Sequence, residues 1–282
     1  MIGIAALAVV IVALAYVMRR KHRETWNEIF RLRATIESLQ GQLVASRKEI
    51  VLMATSGSMR LPPLMPSQNG EDVVIWDLFE RRREGFYVDV GGYDGVGFSN
   101  TYFFEAIGWS GVVIEAVPEL YMRCAASRPH STVVHAACGA ASGTVAFTIA
   151  DGPRGIATLS SMTPDRTRIE REGGSVRTVE VPLRTLDDIL AGITEPIDFV
   201  SIDVEGAELD VLRGFDLERF RPRLLVIEDN SAGADRRVAN WLAERGYLAT
   251  QQLEQNTFYT RTNTGMSRYS VPGSFIARRR NQ

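Results

Sequence analysis

The residues equipped for chemistry are carboxylates, and they fall at the ends of apolar runs. The first run, Phe86-Tyr87-Val88-Asp89-Val90, passes into Gly91-Gly92-Tyr93-Asp94-Gly95-Val96-Gly97. Glycines there allow a crowded turn and a close approach of backbone to a ligand. The second, Gly111-Val112-Val113-Ile114, stops at Glu115, and the third, from Ile197, ends in Asp203 with Glu205 and Glu208 after it. A fourth, from Arg223, ends in Glu228-Asp229-Asn230. A glycine turn followed roughly 20 residues on by an acid is the layout that grips a nucleoside, the acid accepting both hydroxyls of the ribose. A pyrophosphate ligand wants G-x-G-x-x-G, whereas here Asp89 and Asp94 sit among the glycines. An acidic loop suits a ligand with positive charge and no phosphate. S-adenosylmethionine, with its sulfonium and ammonium groups, is such a ligand and NAD is not.

These residues need a strand, a loop, a helix and a second strand to hold them. The strand is 86–90, the helix carries Thr101, Phe104 and Ile107 and stops at Gly108, and the second strand is 111–114. A helix over Glu71–Arg83 precedes them, with Val74, Trp76, Leu78 and Phe79 to pack, and another over Pro118–Ser127 follows. Ser131–His135 reads as a third strand, Ala136–Gly143 as a turn and Thr144–Ala150 as an extended segment. Val179–Leu183 is predicted to be a strand, and Thr185 caps a helix start. The run into Asp203 has the composition of a buried central strand whose carboxyl end lies where α/β sheets bind ligands. Glu205 and Glu208 fall at the next helix start, where capping alone accounts for an acid. A helix over Asp235–Arg245 and antiparallel edge strands within Leu248–Ala277 complete the domain. Asp151–Val176 is polar and glycine-rich, which fits either a surface insertion or a lid over an acceptor pocket.

The runs DVGGYDGVGFSNTYFFE, GWSGVVIEAVPE, AACGAASGTVAF, PLRTLDDIL and SIDVEGAELDVLRGF together resemble the FkbM-type methyltransferase family, over about Glu71 to Asn230. The resemblance implies an α/β, Rossmann-like methyltransferase fold: a mostly parallel central sheet with helices on both faces. It implies S-adenosylmethionine as cofactor, with Asp89, Gly91, Gly92, Gly95, Asn100, Glu115, Ala116, Ala137, Cys138 and Asp203 around it. Ala137 and Cys138 would lie by the adenine; Cys138 has no accompanying base pattern for a nucleophile. Asp203 with Asp229-Asn230 is also similar to the ligand pattern of metal-dependent small-molecule O-methyltransferases. That likeness implies an all-oxygen site for a hard ion such as magnesium, although Asp-Asn is common in plain turns. Without metal, Asp203, Glu205 or Glu228 would orient or deprotonate a hydroxyl. The expected reaction is in-line O-methylation of a hydroxyl on a sugar, glycan or small molecule. N-methylation, or a scaffold with a non-catalytic domain, are the alternatives.

The remainder of the 282 residues sets the frame. Composition is globular, 45% hydrophobic and 23% charged, and two cysteines imply no disulfide framework. Ile2–Met18 is an uncharged apolar run of 17, followed at once by Arg19-Arg20-Lys21-His22-Arg23. This predicts an uncleaved single-pass transmembrane helix over 1–20 with the rest of the chain cytoplasmic. Ala13-Leu14-Ala15 offers a cleavage site, but no positive charge precedes the run. Ile29, Leu32, Ile36, Leu39, Leu43, Ile50 and Met53 follow a heptad, so a coiled-coil stalk over 21–55 would make a homo-oligomer. The alternative is a single amphipathic helix on the domain or membrane surface. A linker over 56–70, broken by Pro62, Pro63 and Pro66, leads to the domain at 71–282. Residues 19–60 hold nine Lys/Arg against four Asp/Glu, leaving about −7 for the rest. A basic stalk on an acidic globule fits anionic lipid rather than nucleic acid. Arg278-Arg279-Arg280 reads as a solvated tail.

Overall fold

Along β1 (Phe86–Val90) every residue is buried, because both faces of the strand are covered. Phe86, Val88 and Val90 point to one side, where Val112, Ile114, Val200, Ile202, Leu225 and Ile227 join them. Helices 186–189, 208–213, 217–220 and 237–243 close that side through Leu186, Val211, Leu212, Leu217 and Leu242. On the other side Tyr87 meets an aromatic group centred on Phe199, whose ring lies 5.0 Å from Phe104, 5.9 Å from Trp109 and 6.1 Å from Phe79. The predicted two-faced sheet is the one formed.

The computed structural model describes residues 65–152, 156–231 and 233–261. The predicted anchor, coiled-coil stalk, most of the linker and the arginine tail lie outside them. Among the described residues no helix is long and apolar enough to cross a membrane.

The main sheet adds β2 (Ser110–Glu115), β3 (Ser131–His135), β7 (Phe199–Ile202), β8 (Leu224–Glu228), β9 (Tyr247–Leu253) and β10 (Asn256–Arg261). Its order is β3-β2-β1-β7-β8-β10-β9, parallel up to β8, with β10 antiparallel to both β8 and β9. The order reverses between β1 and β7. Their carboxyl ends therefore open the crevice in which α/β sheets bind ligands. A small sheet, β4 (Ala137–Cys138), β6 (Ser175–Arg184) and β5 (Gly143–Asp151), stands beside it in the order β4-β6-β5.

Two expectations change in detail. The first helix covers Glu71–Leu78 rather than reaching Arg83. Phe79 turns into the core, and Glu80 and Arg81 take left-handed backbone (φ 51° and 60°) to bring the chain round to β1. The stretch after Asp151 is also not all irregular. It holds a 3-10 turn at Ile156–Leu159 and a helix at Arg166–Arg171, which Asp165 caps through the Arg168 N–H at 2.9 Å.

At the opposite end of the strands Asp198 gathers the chain. Its carboxylate accepts the Phe86 N–H at 3.1 Å and pairs with Arg82 and Arg223. Asp198→Ala leaves that buried N–H without an acceptor. The expected cost is about 1–3 kcal/mol, read as a lower denaturant midpoint at unchanged slope.

Candidate active site

The glycine turn is built for closeness. Gly91 (φ 93°) lies against the chain leaving β7, so that a Cβ on it would stand 1.9 Å from the Asp203 carbonyl oxygen. The Gly91 and Gly92 N–H groups both donate to the Ile114 carbonyl, at 2.9 and 3.0 Å. Glu115 then fixes the loop from the end of β2: one carboxylate oxygen accepts the Tyr93 N–H at 2.8 Å and the other the Val117 N–H at 2.7 Å. A carboxylate has about four acceptor sites. The Ala116 N–H bears on it as well, and the remaining acceptor capacity faces a cleft. Burial pushes the Glu115 carboxyl up to about 7, against the pull of those backbone donors.

This cleft, of about 100 Å³, opens above the loop. It is lined by Asp89, Gly91, Gly92, Asn100, Glu115, Ala116, Ala137, Cys138 and Asp203, all expected there, and by Leu120, Phe147 and Met162, which were not. Leu120, Ala137 and Phe147 belong to one apolar cluster, with Met162 packed against it. One end of the cleft is therefore apolar and the other acidic. Burial pushes the Cys138 thiol up to about 12, so it serves as wall and not as nucleophile. Asn100 donates to Ser201 Oγ at 3.0 Å, tying the loop to β7.

Two loop residues do other work. Gly95 does not line the cleft; a Cβ there would stand 2.4 Å from Ser127 Oγ, so packing against a helix end demands the glycine. Asp94 turns its carboxylate onto its own loop, accepting the Val96 and Gly97 N–H groups at 3.0 and 2.7 Å. Of the two acids among the glycines, Asp89 lines the cleft and Asp94 does not.

A second cleft, of about 300 Å³, adjoins the first and shares Glu205 with it. Where they meet, oxygens of Asp203, Glu205 and Glu228 lie within 4.8 Å of one another. Asp203 faces the first cleft, Glu228 the second, Glu205 both. Asp203 is open to the cleft yet walled by protein, and burial raises its carboxyl. Burial and the neighbouring acids push Glu228 up much further, so it keeps its proton and shares it with Asp203. Among the described residues the buried Glu228 Oε2 has no hydrogen-bond partner. Burial first and Asp203 second bring Glu205 up to about 7.

Glu205 is held in left-handed backbone (φ 53°), an uncommon state for a non-glycine residue and one met at working sites. Ser161 Oγ donates to its carbonyl at 2.9 Å, while Arg168 stands 3.5 Å and Asn230 Nδ2 3.4 Å from its carboxylate. Ser161 and Arg168 come from the stretch after Asp151, whose residues wall both clefts: Ala157, Thr158 and Met162 the first, Thr163 and Asp165 the second. The stretch therefore stands beside both clefts.

Of the residues expected to hold a metal, Asp203 joins the acid group with Glu205 and Glu228, while Asp229 and Asn230 do not. Asp229 accepts the Ser231 N–H and hydroxyl (2.9 and 2.5 Å) and the Gly233 N–H (2.8 Å), closing its own turn. Asn230 instead reaches Glu205. Glu208 accepts the Gly206 N–H at 2.8 Å, which is the capping role open to it from the start.

Sequence reasoning passed over Arg128, a fully buried arginine just beyond helix 118–127. It holds Glu105 at 2.7 Å, the Gly95 carbonyl at 3.0 Å and Thr101 Oγ1 at 2.9 Å. Thr101 in turn donates to Asp89 at 2.5 Å. An arginine closing a polar helix has no sequence signal apart from the unmatched Glu105 in the apolar face opposite.

Strand order, glycine turn and the acid ending β2 define a Rossmann-like methyltransferase. The model for the methyltransferase FkbM domain matches residues 89–249, more than half of the chain, and the chain belongs to that family of S-adenosylmethionine-dependent methyltransferases. A curated relative, methyltransferase sdnD of Sordaria araneosa, is 35% identical over 96 residues, 30% of this chain and 37% of its own. The chain thus spans little more than a third of that relative's length. Among solved structures the METTL16 methyltransferase domain is similar with TM-score 0.41 and 14% identity, over 71% of this chain and 68% of that one. An O-methyltransferase from Bacillus cereus in complex with SAH aligns at TM-score 0.36 and 12% identity, over 77% and 91%.

Proposed function

We propose that this protein transfers a methyl group from S-adenosylmethionine to a hydroxyl of an uncharged, hydroxyl-rich acceptor such as a sugar, on a glycan or small molecule. The observation that carries this is the meeting of the two clefts at Glu205, with a nucleoside seat on one side and a polar seat on the other.

When bound, S-adenosylmethionine supplies a methyl group on a cationic sulfur, ready for in-line displacement. The chain's part is to bind, align and take a proton. Glu115 offers acceptors to the ribose, the Leu120–Phe147 wall encloses the base, and Asp89 and Asp203 face the cationic end. Glu205, raised to about 7, takes the proton of the acceptor hydroxyl. Alignment and exclusion of water by the 157–165 wall supply much of the acceleration.

The second cleft carries Asp165, Glu205, Glu208, Glu228, Asp229 and Asp235 against two arginines. Arg237 is spent on Asp235 at 2.6 Å and Arg168 on Glu172 and Glu205. Among the described residues that line this cleft no cation is left over for a phosphate or carboxylate, which favours a neutral acceptor. Magnesium is a second way to quiet the three acids, since their oxygens are the donors a hard ion takes. Asp203, Glu205 and Glu228 would hold it. The apolar run at Ile2–Met18 and its basic flank support attachment to the cytoplasmic membrane face, and the heptad supports self-association.

Calorimetric titration of S-adenosylmethionine and S-adenosylhomocysteine into the full chain is expected to give micromolar binding, unchanged by a chelator. Incubation with sugar acceptors should then add one methyl group by mass. A folded protein that binds neither compound would overturn the reading. Loss of turnover with chelator would reassign the three acids to a metal, and turnover of amines alone would make it an N-methyltransferase.

A further inference from the structure

The five N–H donors of Arg128 are all used. Nε donates to Glu105, one terminal nitrogen to the Gly95 carbonyl and Ser99 Oγ (3.0 and 3.3 Å), the other to Tyr87 Oη and Thr101 Oγ1 (2.7 and 2.9 Å). Burying a guanidinium costs several kcal/mol unless each donor is met. Here each is met, and three of the five acceptors lie between β1 and helix 102–107. Next to it, Ser127 Oγ donates to the Asp94 carbonyl at 2.9 Å. The helix 118–127 thus grips the loop from both ends: Glu115, just before its start, holds Tyr93, while Ser127 and Arg128 at its end hold Asp94, Gly95, Ser99 and Thr101. Thr101 is the pivot. Its oxygen accepts from Arg128 and its proton goes to Asp89, which is buried and lines the first cleft.

We infer that Arg128 is a positioning residue for cofactor binding, acting through Thr101 to aim the Asp89 carboxylate into the first cleft. The inference rests on the reading of that cleft as the S-adenosylmethionine seat. Buried acids tend to hold their proton: burial raises the Asp89 carboxyl on balance, and Arg128 and the Thr101 hydroxyl both limit that rise, so that losing either would favour the neutral form further. The Thr101 hydroxyl, which has one proton to give, gives it to Asp89 because Arg128 fills its acceptor side. A purely structural arginine would need no such relay.

The test is titration of S-adenosylhomocysteine and S-adenosylmethionine into full-length wild type, Thr101→Val, Thr101→Ser, Arg128→Met and Tyr87→Phe, with thermal unfolding of each. Thr101→Val keeps the shape and removes the relay, so its Kd should rise about tenfold or more, while Thr101→Ser restores binding. Arg128→Met should weaken binding at least as much and lower Tm. Tyr87→Phe removes one Arg128 partner away from the loop, so Tm should fall with Kd held within about twofold. Unchanged affinity in Thr101→Val, or the same weakening in Tyr87→Phe, would overturn the inference and leave Arg128 a structural residue. A wild type that binds neither compound would overturn it together with the reading of the cleft. Failure of Arg128→Met to fold leaves Thr101→Val and Thr101→Ser to decide.

Discussion

Glu205→Gln is expected to lower the methyl-transfer kcat about 10²–10⁴-fold while the Kd for S-adenosylhomocysteine stays within about twofold. Gln matches Glu in shape but cannot take a proton. Its backbone carbonyl would still accept from Ser161, so the left-handed conformation and the shared wall of the clefts survive. The loss then falls on kcat, where a base acts, rather than on affinity. Glu228→Gln is the matched control. That carboxyl already carries a proton, so an amide donor replaces it with little change, and kcat is expected within about tenfold of wild type. Equal losses in the two variants would move the base from Glu205 to the acid group as a whole. A Glu205→Gln enzyme with full kcat would leave alignment as the only contribution of this end of the site.

Much of this arrangement was legible beforehand because it is local. Glycines running into an acid, an apolar strand ending in Glu115, and a buried run ending in Asp203 each state their role within a dozen residues. The cleft accordingly holds Asp89, Gly91, Gly92, Asn100, Glu115, Ala137 and Asp203. What failed to show is what depends on distance along the chain. Gly95 looked like part of the ligand turn, and only the arrival of Ser127 explains it. Asp229 looked like a metal ligand because Asp-Asn has one sequence pattern and two uses; its three local donors decide for the turn. Arg128 meets partners 23 to 41 positions away, and no periodicity announces such a hub. The stretch after Asp151 lacked periodicity since its short helix buries Ile169 against Ile156 and Leu159 in a cluster of its own. Its contacts with Glu205, through Ser161 and Arg168, had no sequence signal.

Glu115→Ala should weaken S-adenosylmethionine about 10²-fold or more, since in the proposed pose the carboxylate accepts from the ribose and those charge-assisted hydrogen bonds are lost. The same change frees the Tyr93 and Val117 N–H groups and so loosens the glycine turn itself. Glu115→Gln separates the two effects, because it keeps one acceptor oxygen and removes the charge. Its signature is a pH slope. In the ligand-free wild type the carboxyl titrates at about 7 against 4.5 in the unfolded chain. The unfolded state therefore gives up its proton first as pH rises, and stability drains away across that window, by about 3 kcal/mol from this one group. Below pH 4.5 both states hold the proton and nothing is lost. Glu115→Gln has no proton to lose, so denaturant midpoints of wild type and variant should converge, or cross in the variant's favour, between pH 5 and 8, while cofactor binding stays weaker at every pH. Parallel stability curves would mean that Glu115 is ionised throughout. An acid kept at a cost to the empty fold is one retained for what it binds, and saturating S-adenosylmethionine should restore the wild type's advantage at pH 8.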